Sequence, residues 1–390
     1  MTLLLVCIIF VSYFLIFHSY VLFPLILKIW SRGKQQNQIV FNLTDELPSV
    51  AILLAVYNEE SVIEEKIIKT FESNYPLDKI KFYIGSDAST DKTNAIVERY
   101  AQKYPIHLEV FPGRTGKSGI INKLAEMAEA EIFILTDANV FFKNDTIYQL
   151  VKHYKNKDIA QVGGNIINPV YKKDGISYQE KSYLSRENEI KFQEGVLWGA
   201  MIGAFGGCYS IRAASYRPVP KNFLMDDFYI SMNVFEQGKK AINELDAQCL
   251  EDVSNKIEEE FRRKVRISAG NFQNLNRYKA LLWPPFSGLA FSFMSHKVLR
   301  WYTPILLLLA FVCSIILSFY ANYYLYFMLL QVLLFITPLI DKLLKALGVH
   351  IKFLRFATHF ILMNLALLKG FVWYLQGVES NVWKPTQRNQ

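Results

Sequence analysis

The chain has 390 residues, 52% of them hydrophobic and 15% aromatic, with a mean hydropathy of +0.14. That is too apolar for an ordinary soluble enzyme; the excess lies at the two ends and leaves room between them for one α/β domain. The net charge of +8 is dispersed, with clusters beside the apolar segments, which fits a membrane surface and an anionic substrate better than a nucleic-acid footprint.

Residues 3–30 are almost uninterrupted hydrophobe, more than the roughly 20 residues a bilayer-crossing helix needs. No basic residues precede them and no small-residue cleavage pattern follows, so residues 1–30 read as a transmembrane anchor, not a removable signal. Lys28, Arg32 and Lys34 place its far end in the cytoplasm and its N-terminus outside. Residues 48–280 then alternate strands and helices. Strands are predicted at 49–56, 81–84 and 107–111 and from 132 to a stop at 136–139, and helices at 61–71, 92–104 and 118–128. Such alternation implies right-handed crossovers and a mostly parallel sheet. No Gly-x-Gly-x-x-Gly follows the first strand and no Walker loop is present, so dinucleotide-binding and P-loop readings lose support.

Further on, the pattern predicts a helix at 146–156, a strand at 160–167, a long amphipathic stretch at 178–196 and a small apolar run at 203–211. A strand at 239–244 and a charged helix at 257–265, within a charged stretch opening at Ser254, complete the domain. Residues 281–298, which include WPPFSGLAFSF, are too short to span and read as an interfacial segment. Residues 299–378 hold three spans, at 301–320, 321–340 and 356–375, with a basic cytoplasmic loop at 341–355. Four crossings leave the C-terminus outside, against which Lys384 and Arg388 argue. Cys7, Cys208, Cys249 and Cys313 show neither zinc nor redox spacing, which indicates a reducing compartment.

The chemistry-bearing residues cluster at predicted strand ends. In IFILTDANV, a buried-strand pattern stops on Asp137-Ala138-Asn139, where open α/β sheets bind ligands. Asp137 and Asn139 supply hard oxygens at i, i+2 spacing, suited to Mg²⁺ or Mn²⁺ completed by substrate phosphates; the bland reading is a strand entering a polar turn. Asp87 ends the second strand and reads as ligand-facing, while Asp91 reads as a helix cap. Arg114-Thr115-Gly116-Lys117 is either a diphosphate cradle before a helix N-terminus or a solvated loop. Asp226-Asp227, beside Leu224, Met225 and Phe228, is either a general-base site with raised pKa or a helix start. Arg262, Arg263, Lys264 and Arg266 are either a solvated helix face or in part phosphate-binding.

Together these residues resemble the membrane-embedded family 2 glycosyltransferases, which include the cellulose, hyaluronan, chitin and poly-N-acetylglucosamine synthases. Val56-Tyr57-Asn58-Glu59 is similar to the family's first-strand nucleotide motif, and Asp87, in GSDASTD, to its second-strand acid. Lys117, in GRTGKSGIINK, resembles its Gly-Lys loop, with Asn122 and Lys123 following. Asp137-Ala138-Asn139 stands where the family has Asp-x-Asp, and Met225-Asp226-Asp227 where it has Thr-Glu-Asp. Asn139 departs from the second metal-motif aspartate. The acceptor-gripping Gln-x-x-Arg-Trp has its closest counterpart in Asn274-Leu275-Asn276-Arg277-Tyr278.

The resemblance implies a GT-A-type α/β domain with transmembrane helices at both ends, in a multi-pass plasma (inner) membrane protein whose catalytic domain is cytoplasmic. It implies inverting transfer from a nucleotide diphosphate sugar, a UDP-sugar, to a glycan or lipid-linked acceptor in polysaccharide synthesis. Tyr57, Glu59, Asp87, Arg114, Lys117 and Asp137 would hold the donor, and Asp137 and Asn139 the metal. Asp227, with Asp226, would be the base, and Asn274, Arg277 and Tyr278 would hold the acceptor. The partners implied are donor, acceptor and membrane lipids, without nucleic acid. The competing enzymatic reading is a single-transfer enzyme acting on a polyprenyl phosphate or glycolipid. A non-catalytic membrane scaffold or transporter is the reading from another class, with His359 and Lys369 as its in-span ionisable residues.

Overall fold

The computed structural model describes residues 1–168, 177–251, 257–349 and 351–379. Ser254 and the tail carrying Lys384 and Arg388 lie outside the described residues. Helices α1 (Thr2–Phe17) and α2 (Phe23–Trp30) run on through a π turn at His18–Leu22 as one apolar rod. Strand β1 (Val50–Val56) follows. Ala51, Leu53 and Ala55 pack into one core and Val50, Ile52, Leu54 and Val56 into another on the opposite face. A strand buried on both faces belongs inside a sheet covered by helices on both sides.

Helix α3 (Ile63–Phe71), β2 (Ile80–Asp87), α4 (Thr93–Ala101), β3 (Ile106–Phe111), α5 (Lys117–Met127) and β4 (Ile132–Thr136) come next. β1, β2, β3 and β4 pair in parallel, with β1 between β2 and β4. The chain thus turns back at β1, and the carboxyl ends of β1, β2 and β4 open on one rim. That is where an α/β sheet leaves its crevice.

The strand from 132 stops where its polar residues begin, and a second, unpredicted strand follows it. β4 stops at Thr136, and β5 (Val140–Phe142) joins the far edge of the sheet. The polar residues between them cannot continue a buried ladder. Helix α6 (Thr146–Val151), β6 (Ile159–Ile167), α7 (Ser177–Trp198), β7 (Cys208–Arg212), α8 (Asp226–Glu236) and β8 (Lys240–Glu251) complete the domain. The order is β3-β2-β1-β4-β7-β6-β8-β5, with β7 antiparallel to both neighbours and β5 antiparallel to β8.

Helix α9 (Ile257–Tyr278) runs well past the predicted end at 265, because Ala269 and Phe272 continue its apolar face. The predicted interfacial segment also differs. Pro284 and Pro285 stop the preceding chain, Ser287 accepts the Ala290 N–H as an N-cap, and a helix starts at once. Helix α10 (Gly288–Ser292), a π segment at Phe293–Val298 and α11 (Leu299–Ser318) are continuous. Only the part before Ser287 keeps its aromatics in the open, with Trp283 77% and Phe286 97% exposed.

Helices α12 (Asn322–Phe335) and α13 (Thr337–Ala346) meet at a 49° bend, where Pro338 supplies no N–H. The expected loop at 341–355 is therefore helical through Ala346, and α14 (Lys352–Gln376) closes the described chain. Among the described residues, Thr2–Trp30, Gly288–Ser318 and Lys352–Gln376 are long and apolar enough to cross a membrane, and the bent pair makes a fourth if counted as one span.

Two contacts tie these helices to the domain. On α7, buried Glu187 pairs with His296 at 2.7 Å, Lys297 at 2.5 Å and Arg300 at 2.9 Å, while Glu194 takes the other His296 nitrogen at 2.8 Å. On α9, Ser268 Oγ donates to Leu367 O of α14 at 2.7 Å. A Cβ on Gly370 would stand 2.4 Å from Val265 O, so only glycine permits this approach.

Candidate active site

The site is assembled from the ends of β1, β2 and β4 and the first turns of α5 and α8. Past β1, Asn58 adopts φ +52°, and its Oδ1 accepts the Thr90 N–H at 2.8 Å. The Glu59 N–H donates to Thr93 Oγ1 at 2.8 Å, and Asp91, two residues before α4's first residue, accepts the Thr93 N–H at 2.9 Å, while the N-cap itself is Lys92. These bonds zip the ends of β1 and β2 together. Tyr57 emerges beside them, and the Arg114 guanidinium stacks 3.5 Å above its ring.

Asp87 is fully buried. Its carboxylate accepts the Thr115 N–H at 2.5 Å, the Gly116 N–H at 3.3 Å and Arg114 Nε at 2.9 Å. The 114–116 backbone expected to cradle a diphosphate is thus turned inward onto Asp87. Asp87 shapes the loop, and the loop delivers Lys117. Lys117 Nζ lies 2.7 Å from Asp137 Oδ1. Burial lowers the pKa of this lysine, but Asp137, Asp226 and Asp227 outweigh burial and leave it above its ordinary value. The three acids therefore act on one ammonium, although up to ninety residues separate them in the chain.

Asp226 and Asp227 open α8, as a helix start predicts, yet Asp227 is buried. Burial first, and Asp226 second, push its carboxyl up to about 6, against the pull of Lys117 and Lys191. Its Oδ1 accepts the Phe228 N–H at 2.7 Å. The other oxygen faces Gly206, where a Cβ would come within 2.7 Å.

The predicted acceptor residues separate. Asn274 Nδ2 donates to Met225 O at 3.2 Å and, with Gln273 Oε1 accepting the Leu224 N–H, steadies the turn before Asp226. Arg277 instead makes a two-pronged pair with Glu236, and buried Tyr278 donates to Tyr229 O at 3.0 Å. These two pack α8 against α9 rather than reaching the acids. Asn122 is likewise structural, joining Tyr216 and Val219, and Lys123 pairs with Glu126.

Of three further cleft residues, Tyr209 and Lys191 escaped the sequence reading, and Arg266 is one of the four basic residues weighed there for phosphate binding. Arg266 senses Asp226, Asp137 and Asp227, its pKa lowered by burial, and it has no hydrogen-bond partner among the described residues. Its place could have been found from α9 itself, since positions 266, 270, 273 and 274 share one face. Buried Tyr209 carries a hydroxyl without a partner among the described residues, and burial, Asp226 and Asp227 hold its pKa well above the usual value. Lys191, buried on α7, rests its ammonium 3.4 Å from the Phe205 ring, next to Gly206. The hollow of about 430 Å³ lined by Glu65, Lys69, Phe141 and Asp145 contains none of these residues.

Asp137 and Asn139 fit a divalent ion of the Mg²⁺ or Mn²⁺ type. Both are partly exposed at the rim, and Asp137 keeps Oδ2 outside its lysine contact. No group of three or more His, Cys, Asp or Glu suited to a metal occurs among the described residues. An ion here would therefore complete its shell with substrate oxygens and water.

Residues 51–215 match the sequence model described as Glycosyl transferase family 2. Residues 51–215 form a family 2 glycosyltransferase domain. Among relatives of this glycosyltransferase domain is a beta-monoglucosyldiacylglycerol synthase of Synechocystis, 31% identical over 110 residues, or 27% of this chain and 23% of that protein. A poly-beta-1,6-N-acetyl-D-glucosamine synthase of Staphylococcus aureus is 25% identical over 122 residues, or 31% and 29%. The match spans about a quarter of the length of such relatives. A solved mannosyltransferase of Pyrobaculum calidifontis, in complex with GDP-Man and Mn²⁺, superposes with a TM-score of 0.73 at 22% identity, covering 96% of this chain and all of that one. That likeness establishes the GT-A fold for the glycosyltransferase domain, whose mixed, mostly parallel sheet and flanking helices agree with the expectation.

Proposed function

We propose that the chain is a membrane-embedded, inverting glycosyltransferase that moves a sugar from a nucleotide diphosphate sugar, most simply a UDP-sugar, to a glycan or lipid-linked acceptor. The observation that carries this is the convergence of Asp137, Asp226 and Asp227 on Lys117 at the sheet's open rim. The Pyrobaculum neighbour's GDP-Man and Mn²⁺ support a nucleotide-sugar donor and a divalent ion, and the relatives' names support glycolipid or polysaccharide synthesis.

Tyr57 and Glu59, with Asp87 and Arg114 behind them, would bound the nucleotide pocket. Lys117 and Arg266 would face the diphosphate and stabilise negative charge as the bond from the anomeric carbon to phosphate breaks. Asp227 would take the proton of the acceptor hydroxyl while its oxygen forms the new bond from the opposite side. Asp137 and Asn139 would hold a Mg²⁺ or Mn²⁺ ion, which would supply Lewis-acid neutralisation of the leaving diphosphate. Only one carboxylate acts on the acceptor, unlike the paired acids of glycosidases.

Lys28, Arg32 and Lys34 favour a plasma (inner) membrane setting with the catalytic domain cytoplasmic and several helices in the bilayer. A donor screen on the purified full chain, reading nucleoside diphosphate release with and without Mn²⁺, tests the reading. No metal-stimulated release from any common nucleotide sugar would overturn it. The single-transfer reading gains from Arg277 and Tyr278, which are engaged by Glu236 and Tyr229 and leave the expected chain-gripping motif outside the cleft. Radiolabelled product bearing one added sugar would select it over a polymerase.

A further inference from the structure

We infer that Lys66 is a positioning residue for the metal loop: its buried ammonium grips both ends of residues 136–140 and so sets the spacing of Asp137 and Asn139. The inference rests on the metal-dependent reading above and goes beyond it, because Lys66 lies on another element and touches neither proposed ligand.

Lys66 lies on α3 between Ile63 and Ile67 on the buried face, and it is 0% exposed. Lysine is almost never fully buried without partners that take up its donors. Its Nζ donates to Thr136 Oγ1 at 2.8 Å and to Val140 O at 2.5 Å, and it stands 3.8 Å over the Phe142 ring. Thr136 is the last residue of β4; Val140 and Phe142 are the first and last of β5. The three directions of one ammonium are thus spent on the two flanks of a single loop.

That loop needs such a clamp. β4 and β5 are not neighbours in the sheet, for β7, β6 and β8 lie between them. No ladder therefore fixes residues 137–139. Their backbone bonds are long: the Asp137 N–H reaches Gly207 O at 3.4 Å, and the Val140 N–H reaches Asp137 O at 3.2 Å. Thr136 Oγ1, which accepts from Lys66, passes its own proton to Gly207 O at 2.9 Å, so the same ammonium also registers the loop against the approach to β7. A site with only two protein ligands depends on their spacing, because few other bonds hold the ion. Methionine at position 66 would fill the space but leave Val140 O and Thr136 Oγ1 without their donor.

Binding of Mn²⁺ to the full-length chain in detergent, alone and with UDP, can be followed by loss of the free-ion electron paramagnetic resonance signal. Lys66→Met weakens Mn²⁺ binding at least about tenfold, and Thr136→Val, which removes the hydroxyl that accepts from Lys66 and donates to Gly207 O, weakens it in the same direction. Val97→Ala, which thins the same core from α4, leaves it unchanged. Should Asp137→Ala bind Mn²⁺ as wild type does, the metal reading itself is wrong. Should Asp137→Ala lose the ion while Lys66→Met or, where that variant does not fold, Thr136→Val retains wild-type affinity, the role of Lys66 is overturned.

Discussion

Lys117 Nζ and Asp137 Oδ1 are 2.7 Å apart, so a lysine already holds one oxygen of the carboxylate that a divalent ion would use. Ion and ammonium would compete for the free protein's carboxylate and would cooperate once a diphosphate sat between them. Lys117→Met is therefore expected to bind Mn²⁺ alone more tightly than wild type while turning over donor at least about tenfold more slowly, through lost charge at the leaving group. Asp137→Ala is expected to lose both. Parallel Mn²⁺ titrations and nucleoside diphosphate release assays give the two readouts.

Activity should fall in acid. Asp227 can accept a proton only when ionised, and burial with Asp226 pushes its carboxyl up to about 6. kcat/KM is expected to rise as pH increases through about 6 and to level off above it. Lys191 pulls that value down, so Lys191→Met should move the acid limb to higher pH without abolishing turnover. Asp227→Asn should remove the limb and lower the rate by about 10²–10⁴-fold, the usual range for a general base. Donor hydrolysis followed between pH 5 and 9 separates these outcomes.

Gly206 gives a steric test of the same carboxylate. The methyl group of Gly206→Ala would meet Asp227 Oδ2 at 2.7 Å, closer than such contacts allow. The carboxylate must swing away, and a displacement of about 1 Å costs a reacting group about a hundredfold in rate. The expected variant is folded, with near-normal UDP affinity and a depressed kcat. Unchanged kcat would separate Asp227 from proton transfer.

Asp87 is tested through the loop it organises. Asp87→Ala strips the acceptor from the Thr115 and Gly116 amides and from Arg114. Leaving such groups unmatched costs roughly 1–3 kcal/mol. Thermal unfolding should begin earlier, and UDP affinity should fall as Lys117 and the Tyr57–Arg114 stack lose their anchor. Calorimetric titration with UDP reads the second effect.

The parallel half of the sheet was legible because β1 and β4 are apolar on both faces and stop abruptly on Asn, Asp and Glu. Asp87 and Asp137 could be picked out because they stand at such ends, whereas Asp227, at the start of α8, was singled out by its apolar neighbours and its adjacent acid. Local pattern failed wherever a partner from elsewhere decided the outcome. Val140–Phe142 form a separate strand because they pair with β8, which no window around residue 137 reveals. α9 continues to Tyr278 because α8 and α14 cover its second half. Lys66 looks like an ordinary surface charge until the fold turns it into the core, and local pattern could not say which of Arg262, Arg263, Lys264 and Arg266 faces the acids. Arg277, by contrast, looked functional and is held by Glu236.

Helix α9 touches the turn before Asp226 through Asn274 and leans without a gap on α14 at Ser268 and Gly370. With α14 in a bilayer, the carboxylate proposed to take the acceptor's proton would have a fixed altitude above the lipid tails, like a tool clamped to a bench. An acceptor would then be selected by how far its hydroxyl protrudes from the surface as well as by its sugar. Headgroups too short to rise to that level, or too long to fold back to it, would be rejected by stature alone.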